Sequence, residues 1–190
     1  MRRPNEKLQP GDALLLVDVQ NDFCPGGSLA VSNGDDIIPV LNGWLRAARD
    51  KAVPVYASRD WHPADHLSFE AQGGRWPRHC VQGTPGAAFH ADLELFDNTV
   101  TITKGDRADR DQHSAFDGTD LEERLRTKGI QRLWVAGLAR DICVRASVLD
   151  AVKLGFEVHV IKAATRPVFE AEAERSLDEM LKAGAHIDDD

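Results

Sequence analysis

The chain has 190 residues, of which 42% are hydrophobic, so it can bury one sizeable core, and nothing in it suggests a boundary between two domains. We therefore predict a single domain over residues 1–190. The formal net charge of −8 and the lack of a basic cluster argue against nucleic acid or an anionic membrane surface as a partner, and they favour a small molecule.

The apolar runs and the cysteines indicate the cellular compartment in which the protein is expected. No run approaches the roughly 18 residues of a membrane span, and the polar residues 1–10 lack the core of a signal peptide. Cys24, Cys80 and Cys143 do not have the spacing of a disulfide framework, which fits a reducing compartment. We expect a soluble cytoplasmic protein without a membrane partner. A homo-oligomer is compatible with the sequence, which leaves the number of subunits open.

Short apolar runs alternate with helical patterns along the chain. The apolar runs predict strands at 14–17, 53–57, 99–103, 133–136, 156–161 and 185–187. Apolar residues recur at helical spacing after Asp35, after Leu121, between Cys143 and Gly155, and around 170–182. This alternation predicts an α/β fold with a parallel sheet covered on both sides by helices. The three final aspartates predict a solvated tail.

Four chemically useful side chains follow closely on predicted strands. They are Asp18, Asp60, Lys104 and Cys143. In parallel α/β sheets, ligands bind beyond the carboxyl ends of the strands. We therefore expect these side chains to meet at one edge of the sheet, although they are far apart in sequence.

The segment 137–145 turns a buried strand into a helix with a cysteine in its first turn. Asp141 is expected to cap this helix, which would place Cys143 at the positive end of the helix dipole. That position lowers the pKa of a thiol and makes it a nucleophile. The alternative is a small apolar cysteine that packs beneath the helix. The helix itself is predicted because Ile142, Ala146, Leu149 and Val152 recur at helical spacing up to Gly155, a natural helix end.

Asp18, Lys104 and Cys143 form a candidate catalytic group. A carboxylate can take the proton of a thiol, and a nearby ammonium keeps the carboxylate ionised and favours the thiolate. Taken singly, Asp18 could cap a turn and Lys104 could be a surface charge. The position of all three residues after strands favours the catalytic interpretation.

A candidate metal site lies in the connection of roughly forty residues after the second strand, which is much longer than usual and therefore expected to be functional. Three histidines and a carboxylate within it suit zinc, iron or manganese. These ligands are Asp60, His62, His66 and His79, with Asp65 as a substitute. We assign no role to His90, His159 or His186, and His159 is expected to pack within its strand.

The sequence resembles the nicotinamidase and pyrazinamidase group of the isochorismatase-like cysteine hydrolase family over nearly its whole length. Five stretches carry the resemblance: Asp18-Val-Gln-Asn-Asp-Phe-Cys-Pro-Gly-Gly-Ser-Leu-Ala-Val31, Asp60-Trp-His-Pro-Ala-Asp-His66, Trp76-Pro-Arg-His-Cys-Val-Gln-Gly-Thr-Pro-Gly86, Lys104-Gly105, and 137–144. It implies a three-layer fold with a six-stranded parallel sheet of order 3-2-1-4-5-6 and a cis peptide between Leu138 and Ala139.

The resemblance also implies roles for residues of the site. It implies Asp18, Lys104 and Cys143 as the catalytic triad, and one metal ion, most simply zinc, held by Asp60, His62, His66 and His79. Backbone N–H groups of Ala139 and Cys143 would hold the oxyanion, and the substrate would contact Phe23, Trp76 and Leu138. This chain has Arg140, Ile142 and His113 where many relatives have other residues, which bears on the range of substrates.

The implied function is hydrolysis of nicotinamide to nicotinic acid and ammonia through a cysteine thioester, with the metal orienting the pyridine ring. Another carboxamide or ureido amidase of the same family is the nearest alternative. A hydrolase in which a metal-bound water attacks, or a binding module without activity, are alternatives of other classes. Isochorismatase itself is not favoured, since it does not use a cysteine nucleophile.

Overall fold

Six parallel strands form one sheet through the centre of the computed structural model, which describes residues 3–189. The strands are β1 Asp12–Val17, β2 Val55–Asp60, β3 Val100–Lys104, β4 Arg132–Leu138, β5 Glu157–Arg166 and β6 His186–Asp188. Their order is β3-β2-β1-β4-β5-β6, and every neighbouring pair is parallel. The predicted α/β fold and strand order are confirmed.

Helices cover both faces of this sheet. Within residues 3–189 the α-helices are α1 Pro4–Lys7, α2 Ile38–Asp50, α3 Leu121–Thr127, α4 Arg145–Lys153 and α5 Ala173–Ala183. Leu41 of α2 joins the core on one face, whereas Leu125 of α3, Val148 of α4 and Met180 of α5 join the core on the other. None of the helices in this part of the chain is long and apolar enough to cross a membrane.

The central strand β1 is buried along its whole length. Successive side chains of a strand point to opposite faces of the sheet. Leu14 and Leu16 accordingly pack on the side of α2, and Leu15 and Val17 pack on the side of α3, α4 and α5. Because both faces need apolar side chains, the strand is a continuous apolar run in the sequence.

All six strands differ from their predicted bounds by one residue or more, and β2 and β5 differ the most. β2 begins at Val55 and not at residue 53, because Pro54 has no N–H group to donate to a neighbouring strand. β5 continues through the more polar residues 162–166, where its pairing with β4 shifts register between Val135 and Gly137. β5 is longer than its apolar run because its later residues also pair with β4. The apolar pattern of the sequence does not predict this extension.

The helix predicted between Cys143 and Gly155 is confirmed as α4, although its buried face differs from the apolar pattern. The helix buries Ser147, Val148 and Ala151, whereas Ala146, Leu149 and Val152 of that pattern are half-buried.

The end of the chain is also more ordered than a solvated tail, as far as the structure describes it. Asp188 ends β6, and its carboxylate lies 2.6 Å from Lys7 Nζ. Asp189 pairs with Lys162 at 2.9 Å. Asp190 lies outside the described residues.

Gly137 cannot be replaced without moving the sheet. It adopts φ +122°, and a Cβ atom would lie 2.0 Å from the carbonyl oxygen of Val17 on the neighbouring strand. We expect Gly137→Ala to lower the free energy of unfolding by about 3 kcal/mol or more, because both the backbone conformation and the strand contact must change. Urea denaturation followed by circular dichroism measures the change.

Gly43→Ala is the matched control for this variant. Gly43 lies within α2, and no atom lies within 4 Å of the position that a Cβ atom would take there. Alanine should therefore leave stability unchanged or raise it by up to about 1 kcal/mol. Equal loss of stability in both variants would contradict the close approach of β1 and β4.

Candidate active site

The carboxyl ends of the strands bring the four predicted side chains to one edge of the sheet. Asp60 ends β2 and Lys104 ends β3, and these two residues are directly paired across the strands. Asp18 follows β1 with φ +49°, and Cys143 lies in the turn after β4. One carboxylate oxygen each of Asp18 and Asp60 lies within 4.8 Å of the other and of the Cys143 sulfur. The parallel sheet thus gathers the group as expected.

The Lys104 ammonium is the centre of this group and is almost completely buried. Its Nζ lies 2.8 Å from Asp18 Oδ2, 2.5 Å from Asp60 Oδ1 and 3.7 Å from Cys143 Sγ. Burial alone would lower the pKa of Lys104, but the two carboxylates raise it well above its ordinary value. Lys104 therefore carries a positive charge next to the sulfur throughout the neutral range.

Asp18 is placed to accept a proton. Burial raises its pKa, and the attraction of Lys104 opposes that rise only in part. Asp18 Oδ1 accepts a hydrogen bond from Ser58 Oγ at 2.7 Å. Asp18 Oδ2 touches the ammonium but receives no well-directed hydrogen bond from any residue in the described part of the chain. This oxygen is free to take the proton of the neighbouring thiol.

The surroundings of Cys143 differ from the prediction in two ways. The expected lowering of its pKa is wrong, because burial raises the pKa of the thiol, and Lys104 only opposes this rise. Asp141 does not cap the helix as predicted. A π-helical turn, Arg140–Val144, precedes α4, and the residue before this turn is Ala139. The Asp141 carboxylate instead accepts hydrogen bonds from Val168 N and Phe169 N, at 2.8 and 2.9 Å. Cys143 is thus a thiol at rest and needs a base.

Three of the four predicted metal ligands form one group. Asp60, His62 and His79 each offer one donor atom, and these atoms lie within 4.8 Å of one another. His62 Nδ1 lies 2.8 Å from the Gly105 carbonyl, and His79 Nδ1 lies 2.7 Å from the Pro77 carbonyl. Because a carbonyl only accepts, each Nδ1 carries the proton, which leaves Nε2 as the free ligand atom.

The charges of Asp60 and His79 also fit a metal ion. Burial would raise the pKa of Asp60, but Lys104 and His62 lower it far below its ordinary value, so the carboxylate is ionised. Burial lowers the pKa of His79, which favours its neutral imidazole. The pKa of His62 is raised instead: burial lowers it, but the hydrogen bond and the charge of Asp60 outweigh that effect. Because metals bind neutral imidazoles, an ion at this site would displace a proton from His62.

His66 is not part of this group, although its ring lies 4.0 Å from the ring of His62. Its Nδ1 lies 2.7 Å from Ser68 Oγ and its Nε2 lies 2.9 Å from the Arg110 carbonyl. Both ring nitrogens are therefore engaged by the protein itself. Asp65, the predicted substitute, is exposed and lies outside the group.

A cavity opens onto the cysteine and the ligand group. It contains about 470 Å³ of space between atoms, the solvent at its open mouth included. The predicted contact residues Phe23 and Trp76 line it. The lining consists of Phe23, Leu29, Val31, Asp60, His62, Ser68, Trp76, His79, Asp111, His113, Ala139, Ile142, Cys143 and Val168.

Leu138 does not reach this cavity, which corrects its predicted role. Its side chain is completely buried in the core on the α2 side, and only its cis peptide bond to Ala139 adjoins the site. Arg140 also turns away, since its guanidinium bonds the side chain and the carbonyl of Thr165 at 2.8 and 2.9 Å. Of the three unusual residues noted in the sequence, only His113 and Ile142 line the cavity.

The sequence did not predict two further residues that line the cavity, because only the tertiary structure brings them there. Val168 follows β5 and is held by the Asp141 carboxylate. Asp111 belongs to a loop segment in which charges of both signs alternate, and it faces the cavity beside His113, whose Nε2 lies 3.7 Å from Asp111 Oδ2. No local pattern distinguishes these residues from ordinary loop positions.

Comparisons with known proteins agree with this geometry. The sequence pattern of the isochorismatase domain matches residues 12–189. The nicotinamidase of Escherichia coli strain K12 is 40% identical to this chain, in an alignment that covers 94% of this chain and 94% of that protein. The crystal structure of the pyrazinamidase of Pyrococcus horikoshii in complex with zinc superposes with a TM-score of 0.92 at 45% identity, over 94% of this chain and 99% of that one.

A ligand complex is also similar to this structure. The crystal structure of PnC1 from L. infantum in complex with nicotinate has a TM-score of 0.84 and 36% identity, over 93% of this chain and 91% of that one. The family pattern spans all six strands and therefore every strand end that contributes to the site. On this evidence the chain belongs to the isochorismatase domain family.

Proposed function

We propose that this chain hydrolyses the carboxamide of nicotinamide to nicotinic acid and ammonia, with Cys143 as the nucleophile. The contact of Lys104 with both Asp18 and Cys143 at the floor of a cavity carries the proposal, since it joins a base, a cation and a thiol. The similar nicotinamidase of E. coli and the nicotinate complex of the L. infantum protein support this choice of substrate.

The first half of the reaction forms a thioester. Asp18 Oδ2 takes the thiol proton while the Cys143 sulfur forms a bond to the carboxamide carbon, and the carbonyl electrons move to oxygen. The backbone N–H groups of Ala139 and Cys143 hold the resulting oxyanion. When the carbonyl re-forms, the carbon–nitrogen bond breaks, and Asp18 returns the proton to the departing ammonia.

The second half releases the acid. Asp18 takes a proton from a water molecule, whose oxygen attacks the thioester carbon. The carbon–sulfur bond then breaks, and the sulfur recovers its proton from Asp18, so that the group returns to its starting state. Lys104 keeps its charge throughout and stabilises the negative charge that develops on sulfur and on Asp18.

Asp60, His62 and His79 would hold one divalent metal ion, for which zinc is the natural choice. The donor set suits zinc, and the similar pyrazinamidase of P. horikoshii was solved with zinc; iron and manganese accept the same ligands. When bound, the ion supplies an electrophilic position for the pyridine nitrogen of the substrate. His66 would become the predicted fourth ligand only if its Nε2 released the Arg110 carbonyl.

The apolar wall of the cavity suits a flat aromatic ring. Phe23 and Trp76 face the space beside Cys143, and Trp76 stacks on Phe169 with ring centroids 6.1 Å apart. Aromatic side chains bind such rings by stacking and by removing apolar surface from water. They would hold the pyridine ring while the carboxamide carbon faces the sulfur.

Cys143→Ala tests the nucleophile. We expect release of ammonia from nicotinamide to fall by at least about 10³-fold, since no other group can form the thioester, while bound metal stays unchanged. Ammonia release and metal content are measured on the same samples. His79→Ala should instead lose metal, since it removes a ligand. Substantial activity in Cys143→Ala would favour attack by a metal-bound water.

Ser58→Ala tests Asp18 as the base. The hydrogen bond from Ser58 favours the ionised carboxylate, so its loss should raise the already raised pKa of Asp18 further. Because the base must be ionised, kcat/KM falls as the pH drops through this pKa, and the acid limb of the profile should move to higher pH. Ser176→Ala, at a buried serine of α5, is the control and should leave the profile unchanged. An unmoved limb in Ser58→Ala would contradict the role of Asp18.

Benzamide tests recognition of the ring nitrogen. It has the carboxamide and a flat ring but no ring nitrogen, so we expect its kcat/KM to be at least about 100-fold below that of nicotinamide. Removal of the metal with a chelator should lower activity on nicotinamide much more than activity on benzamide. Equal turnover of the two amides would show that the Asp60, His62 and His79 group does not select the substrate.

A further inference from the structure

A second group of metal-ligand side chains lies at the amino ends of β5 and β6, on the opposite edge of the sheet from the catalytic group. It consists of Glu157, His159 and His186, whose donor atoms lie within 4.8 Å of one another. None of these residues contributes to the cavity beside Cys143. The proposed amide hydrolysis does not use them.

Backbone pairing brings this group together. His159 of β5 is directly paired with His186, the first residue of β6, and Glu157 lies two residues before His159 and so on the same face. The two imidazole rings are stacked with centroids 4.7 Å apart. His159 Nε2 lies 2.8 Å from Glu157 Oε1. The register of the strands, and not only the choice of side-chain rotamers, sets these distances.

The group is open to solvent on one side and supported on the other. The side chain of Glu157 is 52% exposed, and that of His159 is 19% exposed. The His159 ring also packs on Trp134 at 4.5 Å, and Trp134 packs on Trp44 at 4.8 Å. An ion can therefore reach the donor atoms, while the core holds the His159 ring in place.

The guanidinium of Arg132 lies near Glu157 but does not compensate the negative charge of its carboxylate. Arg132 Nη1 lies 3.9 Å from Glu157 Oε1, at the limit of an ion pair. The same guanidinium donates to both carboxylate oxygens of Asp12, at 2.8 and 2.7 Å. Asp12 therefore neutralises most of the charge of Arg132, and Glu157 can serve as an anionic ligand.

We propose that Glu157, His159 and His186 bind a divalent transition-metal ion, such as zinc, that ties the edge strand β6 to β5. Two imidazoles and a carboxylate are ligands that zinc prefers, and water can complete the coordination. The ion replaces the proton shared between His159 and Glu157, which leaves to solvent. β6 has three residues and pairs with a single strand, so such a link adds stability where the sheet is weakest.

The simpler alternative is that the two histidines only extend the row of stacked rings from Trp44 and Trp134. His186→Phe separates the two explanations, because phenylalanine keeps a ring against His159 but has no donor nitrogen. His90→Phe makes the same change at a histidine outside the group and serves as the matched control.

The test uses the full chain carrying His62→Ala and His79→Ala, so that the catalytic group has lost two ligands. After treatment with a chelator, the protein is titrated with zinc chloride, and bound zinc is counted after desalting. We expect one zinc per chain and a rise in the melting temperature of about 3 °C or more at saturating zinc. Addition of His186→Phe should abolish both effects, whereas addition of His90→Phe should leave both intact.

The same zinc count is made in the chain that keeps His62 and His79. This second count shows whether a folding defect, and not the loss of a ligand, explains the result. There the number of bound zinc ions should fall from two to one with His186→Phe, and hydrolysis of nicotinamide should be unchanged. Zinc binding that survives His186→Phe, or no zinc in the variant without His62 and His79, overturns the proposal. Half a zinc per chain with dimer formation overturns it as well, since the ion would then lie between two copies.

Discussion

The ammonium of Lys104, enclosed between the carboxylates of Asp18 and Asp60, is the interaction on which the site depends. Moving each of these charges out of water costs several kcal/mol, and only close pairing in good geometry offsets that cost. The two carboxylates could not both be ionised at this distance without the cation between them. The same cation faces the sulfur of Cys143, so a single buried charge contacts both the proposed base and the proposed nucleophile.

The neighbours of this group hold it in place through the backbone. The side chain of Gln20 accepts a hydrogen bond from Asp60 N at 2.8 Å and donates to the Asp60 carbonyl at 2.7 Å. Gly105 has φ +63°, and a Cβ atom there would lie 2.5 Å from the ring of His62, so only glycine lets its carbonyl orient that ring. The geometry of the site therefore depends on contacts that take no part in the chemistry.

Parallel pairing explains both clusters of polar side chains on the sheet. Residues paired across two parallel strands lie side by side, which places Asp60 beside Lys104 at the carboxyl end and His159 beside His186 at the amino end. The first pair is buried beneath the loops that follow the strands, and the second remains at an open edge. Burial gives the first pair strongly shifted pKa values, which are common in reaction centres, whereas an open edge favours exchange with ions from solvent.

By itself, the sequence determined the layers of the fold, the strand ends that carry Asp18, Asp60, Lys104 and Cys143, and the candidate metal ligands His62 and His79. Apolar periodicity and strand-end placement are local properties, so they can be read without coordinates. Only the tertiary structure decided that His66 bonds Ser68 and Arg110, that Leu138 faces the core, and that Asp141 holds Val168. It also decided that burial raises the pKa of Cys143, and that Lys104 only opposes this rise. Burial and cross-strand register arise from residues distant in sequence, and for that reason no local pattern contains them.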